Sequence, residues 1–261
     1  MKRGGIIRMT ESTKIHAQPF EKTGKDVGIF LIHDFGGSPA HLYPIATAFA
    51  DAGYSVKLPR LLGHDTSPEE LNQVNYTEIL TSLELEFEPF FEEMEYIILL
   101  GFATGGALAQ QLATKYEVEG LILINSLFQP PLKLMEDAET ALKRDVDYVP
   151  RGTVDVKNER AEHALYAKYP TRLILELKEV SEKIQEQANL ITTPVLVLQS
   201  IEDHVYPPSN ADHLVNAFNS REKHLIMLYD SYHYAVIDYD QQRIFKQCLY
   251  FVKGLDPTRE D

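Results

Sequence analysis

A glycine-rich turn directly follows a strongly apolar stretch near the middle of the chain. The run "IILLGFATGG" (Ile97–Gly106) stops being apolar at Gly101, and further glycines follow at Gly105 and Gly106. This is the Gly-x-Ser-x-Gly spacing of a nucleophile elbow, a sharp strand-to-helix turn that raises a hydroxyl into a pocket. The central residue here is Ala103, which has no hydroxyl. The spacing predicts an elbow, and the residue type removes the group that an elbow presents.

Two later strand ends provide residue types that would serve a nucleophile. The apolar run Pro194–Ser200 is followed by "IEDHVYPP", in which Glu202 and Asp203 are rival acids, and the run Lys223–Tyr229 is followed by "DSYHYA". Ligands bind at the carboxyl ends of the strands in open parallel sheets. The chain order of elbow, acid and histidine is that of the Ser, Asp/Glu and His of α/β hydrolases. Each residue alone is more typical of a polar loop, but the ordered set favours a hydrolase-type site.

Apolar runs alternate with helical patterns along most of the chain. The run Val27–His33 is rich in branched residues and does not alternate with polar ones, which is typical of a strand buried on both faces. Further strands are predicted at Tyr54–Pro59, Tyr96–Gly101, Gly120–Ser126, Pro194–Ser200 and Lys223–Tyr229. Helices are predicted from Ser38 to Gly53, from Tyr76 to Glu95 with a kink or break at Pro89, after Gly105, at Ser209–Phe218 and at Asp240–Lys253. This alternation predicts a parallel, doubly wound α/β sheet.

One segment interrupts the alternation. The range Leu127–Ile191 contains no convincing buried strand, is charged, and has apolar residues at helical spacing in its last third, at Leu173, Leu177, Val180 and Ile184. We interpret it as a helical insertion between two strands of the sheet, within a single domain that spans residues 1–261.

Composition narrows the classes of function. The chain has 261 residues, of which 44% are hydrophobic, and its net charge is −14, which disfavours binding to nucleic acid or anionic lipid. The single cysteine, Cys248, excludes an intrachain disulfide and falls at helical spacing between Ile244 and Phe251, so we interpret it as a buried structural thiol. The start, Met1–His16, lacks the apolar core of a signal peptide, and no stretch approaches the roughly 18 apolar residues of a membrane span. We therefore expect a cytoplasmic location.

These residues together resemble the α/β-hydrolase family, and within it the capped bacterial carboxylesterases and monoacylglycerol lipase-like enzymes. The similarity runs from about Gly28 to Leu255 and includes "GHD" at Gly63–Asp65, which resembles the family's Gly-His-Gly loop. The resemblance implies an α/β-hydrolase fold with a helical cap at 127–191 and hydrolysis of carboxylic esters of small alcohols or glycerol, without a cofactor. The expected partner is a small ester or acyl ligand, and a homodimer is possible but not decided by the sequence.

The resemblance also implies a role for each matching residue. Ala103 occupies the nucleophile position, Asp203 matches the triad acid and His233 the general base. The backbone N–H groups of Phe35 and Thr104 would form the oxyanion hole. In such a site the histidine takes the hydroxyl proton, the carboxylate fixes its tautomer, and two amides bind the developing oxyanion. The histidines of the C-terminal half lack the short paired spacing of metal ligands, so we expect no metal.

The sequence departs from the family pattern at the same site. Besides Ala103, Asp34 stands where the family has the glycine of His-Gly, and Asp65 where it has the last glycine of Gly-His-Gly. Loss of a triad nucleophile typically lowers kcat by about 10⁶-fold. A carboxylate roughly 6 Å from an oxyanion would cost on the order of 3 kcal/mol at an effective dielectric near 20 if it pointed inward.

Three interpretations follow. In the first, an ester hydrolase has been inactivated by a deliberate alanine at position 103, while Asp203 and His233 are retained. In the second, the chain is a natural non-catalytic relative that binds a small ligand, which would also explain Asp34 and Asp65. In the third, it is a protein-interaction module that uses the cap surface. A cavity over Ala103 walled by the cap favours a small acyl ligand, whereas a filled cavity beside an exposed apolar patch favours a protein partner.

Overall fold

The six predicted apolar runs and one short further strand form a seven-stranded sheet. The structure is a computed structural model that describes residues 18–258. The nine strands of the described residues are β1 (Phe20–Lys22), β2 (Lys25–Ile32), β3 (Tyr54–Leu58), β4 (Tyr96–Phe102), β5 (Gly120–Ile124), β6 (Tyr148–Pro150), β7 (Lys168–Pro170), β8 (Val195–Ser200) and β9 (Lys223–Leu228), of which β6 and β7 form a separate pair. The sheet order is β1-β3-β2-β4-β5-β8-β9, and its neighbours are parallel except for β1 with β3. The predicted mostly parallel sheet is confirmed, with β4 at its centre.

Helices connect the strands. The α-helices of the described residues are α1 (Tyr43–Asp51), α2 (Pro68–Leu71), α3 (Tyr76–Glu93), α4 (Thr104–Lys115), α5 (Leu132–Lys143), α6 (Thr171–Gln187), α7 (Ser209–Ala217) and α8 (Gln241–Leu255). The C-terminal helix α8 buries Ile244, Cys248 and Phe251, and burial raises the pKa of the Cys248 thiol. Within residues 18–258, no helix combines the length and the apolar character that crossing a bilayer requires. The segment 1–16, where we expect no signal peptide, lies outside the described residues.

Two helix predictions need correction. The first helix does not start at Ser38, because Ser38 caps a short 3₁₀ turn at Pro39–His41 and α1 begins after it. The helix α3 contains Pro89 and continues to Glu93, so of the kink or break predicted there, the break does not occur. Proline removes one helical hydrogen bond, to the carbonyl of Leu85. The Leu85 residue is exposed, which leaves that carbonyl on the side of the helix that faces water.

The segment between β5 and β8 is an insertion with mixed structure. It contains α5 and α6, as the helical spacing predicted, and also the antiparallel pair of β6 and β7, which the sequence reading missed. The predicted apolar face of α6 is buried in the main core and packs on α4. A second, smaller cluster joins α5, α6 and the β6–β7 pair, and it consists of Met135, Ala138, Val149, Tyr169 and Ile174.

Candidate active site

The elbow is a strand-to-helix turn at the end of the central strand β4. Ala103 lies between β4 and α4 with φ 53° and ψ −118°, a backbone conformation that L-residues rarely adopt. Its N–H donates to the carbonyl of Ile124 (3.0 Å), and its carbonyl accepts from the N–H groups of Gly106 and Leu127 (3.0 Å each). These bonds to the end of β5 and to the first turn of α4 hold the apex in this conformation.

Close packing explains the elbow glycines. A Cβ atom on Gly105 would lie against the carbonyl oxygens of Ile32 and His33, well inside van der Waals contact. A Cβ atom on Gly106 would lie 2.6 Å from the Cβ of Ser126. The helix α4 can therefore approach β2 and β5 only because these two positions have no side chain.

The acid and the histidine meet beyond the ends of β8 and β9. The Nδ1 atom of His233 lies 2.9 Å from Oδ2 of Asp203, and both side chains are buried. The other oxygen of Asp203 accepts from the backbone N–H groups of Val205 (2.9 Å) and Tyr206 (2.8 Å), so the carboxylate is fixed at both ends. Its rival Glu202 is exposed and pairs with Lys157 (2.9 Å), away from the histidine.

Three contacts from three segments orient His233. Asp203 holds its ring, Oδ2 of Asp155 accepts from its backbone N–H (3.1 Å), and Nδ2 of Asn125 donates to its carbonyl (2.7 Å). The rings of Phe102, Tyr206 and Tyr234 surround the imidazole at centroid distances of 5.0–5.6 Å. Within residues 18–258, the ring atom Nε2 makes no hydrogen bond, and His233 lines the cavity described below.

The surroundings of His233 act on its pKa in opposite directions. Burial lowers the pKa most, because a buried cation is poorly solvated, but the charge and hydrogen bond of Asp203, together with smaller contributions from Asp155 and Asp34, outweigh it. The net result is a pKa above the ordinary value of 6.5. An Nδ1–H donated to the carboxylate leaves Nε2 as the nitrogen that can accept a proton.

The two backbone N–H groups predicted for the oxyanion hole belong to residues that line the same cavity. Phe35 follows β2 and Thr104 begins α4. Neither N–H donates a hydrogen bond within the part of the chain that the structure describes. The Thr104 hydroxyl bonds to that of Tyr206 (3.2 Å).

Asp34 enters a buried network beside the Phe35 position. Its Oδ1 lies 2.7 Å from Nδ1 of His41, while its Oδ2 is buried and has no hydrogen-bond partner among the described residues. The Nε2 of His41 accepts from the N–H of Ala164 (3.2 Å), so the proton that faces Asp34 is on Nδ1. Asp65 instead adopts φ 53° in the loop after β3, a conformation that aspartate tolerates better than most residues.

A cavity of about 190 Å³ lies over the elbow. On the side of the sheet it is lined by Phe35, Ala103, Thr104 and His233. On the side of the insertion it is lined by Pro131, Leu134, Arg151, Asp155, Tyr169 and Leu177, among others. Ala103, His233 and the residues of the predicted oxyanion donors therefore line one partly apolar cavity, together with residues of the insertion. No group of His, Cys, Asp or Glu side chains within residues 18–258 is arranged to hold a metal ion.

Sequence reasoning missed Asp155 and Asn125. Asp155 lies in an irregular part of the insertion, where nothing in the local pattern relates it to His233, because the two are 78 residues apart. Asn125 was visible as a polar residue at the end of a buried strand, the place where parallel sheets collect functional side chains. Its φ of 42° is a second mark of a special position.

The chain is similar over most of its length to known hydrolytic enzymes. Residues 25–240 match the family model Hydrolase_4, described as serine aminopeptidase, S33. The chain is 34% identical over 237 residues to the thermostable monoacylglycerol lipase of Bacillus sp. strain H-257, covering 90% of this chain and 94% of that one. It is 21% identical over 242 residues to a carboxylesterase of Bacillus subtilis strain 168, covering 92% and 97%.

Solved structures show the same architecture. A chain from work on LipS and LipT, two metagenome-derived lipolytic enzymes, superposes with a TM-score of 0.87 at 29% identity, covering 92% of this chain and 99% of that one. A soluble variant of the monoglyceride lipase of Saccharomyces cerevisiae superposes with a TM-score of 0.75 at 14% identity, covering 92% of each chain, and shows the fold alone.

Proposed function

The chain belongs to the Hydrolase_4 family, described as serine aminopeptidase S33, whose model matches residues 25–240, and on that premise we propose that it is the framework of a carboxylic ester hydrolase. The framework is of the carboxylesterase or monoacylglycerol lipase type and is built for an acyl-enzyme mechanism. It is inactive in this form because Ala103 occupies the nucleophile position. The hydrogen-bonded pair of Asp203 and His233 beside the elbow apex, in one cavity, is the observation that carries the proposal.

A serine at position 103 would complete the chemistry. Nε2 of His233 would take the proton of its hydroxyl as the oxygen attacked an ester carbonyl, and Asp203 would stabilise the imidazolium. The N–H groups of Phe35 and Thr104 would bind the oxyanion, the alcohol would leave with the proton from His233, and water would release the acid. Ala103 has a methyl group in place of that hydroxyl, so the first step has no nucleophile.

The insertion supports a small ligand. We propose that the range 127–191 is a cap, because its residues form one wall of the cavity while the elbow and the base form the other. A cavity that size with apolar and polar walls suits an ester or acyl group more than a protein surface.

Restoring the hydroxyl tests the proposal. We expect Ala103→Ser to hydrolyse short p-nitrophenyl esters and to form a covalent adduct with a fluorophosphonate, detected as a mass increase confined to the peptide that contains position 103. The matched control is Ala103→Gly, which alters the same site without a hydroxyl. If neither folded Ala103→Ser nor folded Ala103→Ser/Asp34→Gly shows turnover above the control at several acyl lengths or an adduct, the hydrolase proposal is wrong.

A second candidate function is a non-catalytic protein that binds a small ligand in the same cavity. The buried Asp34 carboxylate next to Phe35 favours it, because a negative charge there opposes an oxyanion. The variant Ala103→Ser/Asp34→Gly separates the two functions. Turnover that appears only in the double variant shows that Asp34 is a second block on catalysis, whereas binding of a monoacylglycerol by the unchanged chain without turnover in either variant supports the binding function.

A further inference from the structure

One carboxylate of the insertion contacts both loops that supply the acid and the histidine. We call residues 201–206, after β8, the acid loop, and residues 229–240, after β9, the histidine loop. Oδ2 of Asp155 accepts from the backbone N–H groups of His204 (3.0 Å) and His233 (3.1 Å). Its Oδ1 lies 2.7 Å from Nδ1 of His204. A single side chain of the insertion therefore bridges the acid loop and the histidine loop.

The backbone around Asp155 strengthens the bridge. The carbonyl of Asp155 accepts from the N–H of Tyr234 (3.1 Å). In the opposite direction, the carboxylate of Asp238 in the histidine loop accepts from the N–H groups of Lys157 (2.7 Å) and Asn158 (2.9 Å). Residues 155–158 and the histidine loop thus exchange hydrogen bonds both ways, and the insertion cannot lift here without releasing them.

The Asp155 carboxylate borders the cavity and is largely shielded from water. Its side chain is 17% exposed and lines the cavity, and its sole ion-pair partner among the described residues is His204. Hydrogen bonds from N–H groups to an ionised carboxylate are about twice as strong as those between neutral groups. Losing Asp155 would therefore leave the N–H of His233 without its acceptor.

We propose that Asp155 is a positioning residue that couples the seating of the insertion to the orientation of His233. It touches no reacting atom and acts through the backbone N–H of His233 and through its charge. The proposal rests on the proposed function in one respect, namely that His233 is the base. The Asp155 contacts predict that a ligand which displaces the insertion also loosens the base, so the site is organised only when the insertion is closed.

The ionisable groups that face His233 come from several elements. Asp203 faces it from the acid loop, Asp155 from the insertion and Asp34 from the loop after β2, and Asp203 contributes most of the three to the raised pKa of His233. The phenols of Tyr206 and Tyr234 flank the ring, and burial raises the pKa of both, so they stay neutral. A change at Asp155 therefore alters one of three nearby charges.

The test uses the chain as it stands and compares two replacements. Asp155→Asn keeps an oxygen acceptor but removes the charge, and Asp155→Ala removes both. In ¹⁵N-histidine-labelled protein, we expect the titration midpoint of the His233 ring to fall by roughly 0.5 or more in both variants. Amide hydrogen exchange at His233 should accelerate on the order of tenfold in Asp155→Ala and less in Asp155→Asn.

A matched control removes a neighbouring carboxylate at the same junction. Glu202 pairs with Lys157 of the insertion but does not contact His233, so Glu202→Gln should leave the midpoint and the exchange rate of His233 unchanged. An unchanged midpoint and exchange rate in folded Asp155→Ala would overturn the proposal, as would equal shifts in Glu202→Gln.

Activity gives an independent measurement in the Ala103→Ser background. We expect Asp155→Asn to move the acid limb of the kcat/KM profile to lower pH with little change in KM, and Asp155→Ala to lower kcat as well. Because the spectroscopic measurement needs no turnover, the two proposals can fail separately. If Ala103→Ser and Ala103→Ser/Asp34→Gly are both inactive but His233 still responds to Asp155, the positioning role stands and the hydrolase proposal falls.

Discussion

The backbone at Ala103 allows a sharp prediction about stability. Its φ of 53° and ψ of −118° lie in a region where a side chain costs about 1–3 kcal/mol and glycine costs much less. We predict that Ala103→Gly relieves this strain. The matched control is Ala107→Gly, four residues later in α4, because Ala107 is as buried as Ala103 (0% and 3% exposed) but has ordinary helical geometry.

The magnitude follows from three contributions. Replacing a helical alanine by glycine costs about 1 kcal/mol, and removing a buried methyl costs about 0.8 kcal/mol more. Ala107→Gly should therefore lower the free energy of unfolding by roughly 2 kcal/mol. Ala103→Gly loses a similar amount, because glycine gives the unfolded chain more conformational entropy and the buried methyl is removed. It also relieves about 1–3 kcal/mol of backbone strain, so the free energy of unfolding should be nearly unchanged.

The assay is urea denaturation followed by circular dichroism, with the slope checked for two-state behaviour. The free energy of unfolding should differ between the two variants by about 1–3 kcal/mol, in favour of Ala103→Gly. If Ala103→Gly is as destabilising as Ala107→Gly, the apex is not strained and the elbow geometry inferred for it is wrong. Ala103→Ser retains a side chain at the same φ, so its stability should stay close to that of the unchanged chain.

Two further predictions concern packing and pH. Gly105→Ala should lower the free energy of unfolding by about 1–3 kcal/mol, because the new methyl would meet backbone oxygens at the end of β2 that cannot rotate away. Gly254→Ala, in open space on α8, should instead raise it by about 0.4–1 kcal/mol. Urea denaturation midpoints compare the two variants, and equal effects would contradict the packing argument. In Asp203→Asn, burial should bring the pKa of His233 below 6.5, as a histidine ring titration would show. The folded unchanged protein binds the His233 proton more tightly than the unfolded chain, so this proton stabilises the fold fully below about pH 6.5, and the stabilisation is lost as the pH rises through the raised pKa. The difference in unfolding free energy between the unchanged chain and Asp203→Asn should therefore be larger at pH 6 than at pH 8. A difference that grows with pH would contradict the assignment.

Periodicity and turn chemistry were enough to predict the sheet and the elbow. Buried parallel strands have continuous apolar runs, so β2, β4, β5 and β8 were recognisable, and glycine spacing marked the turn after β4. The pair of β6 and β7 could not be recognised in the sequence, because each strand is only three residues long and lacks alternation. The strand β1 escaped notice for the same reason.

Contacts between distant segments account for what the sequence could not show. Asp203 and Glu202 are adjacent carboxylic acids, so the sequence alone cannot distinguish them as the partner of the histidine. In the folded chain Asp203 bonds to His233, whereas Glu202 pairs with Lys157. Asp155 could not be identified because its role depends on how the insertion folds back across the two loops. Such contacts depend on tertiary packing, which no local pattern encodes.

Asp34 bears most directly on the meaning of Ala103. If position 103 were the only change, the rest of the site should match the family pattern, but Asp34 stands where the family has glycine. The Asp34 carboxylate bonds to His41, and His41 accepts a hydrogen bond from the backbone N–H of Ala164 in the insertion. The acidic side chain is therefore part of a network that ties the loop after β2 to the insertion. A change from serine to alanine at position 103 alone would not require that network.

The order of variants follows from this difference. If Ala103→Ser alone is an active esterase, the Asp34 carboxylate is tolerated beside the oxyanion donors and the alanine is the only block. If activity needs Asp34→Gly as well, the site diverged from ester hydrolysis at two independent places, because one change removes the nucleophile and the other opposes the charge of the transition state. The ratio of kcat/KM between the double and the single variant measures that opposition, and at roughly 3 kcal/mol it would exceed a hundredfold.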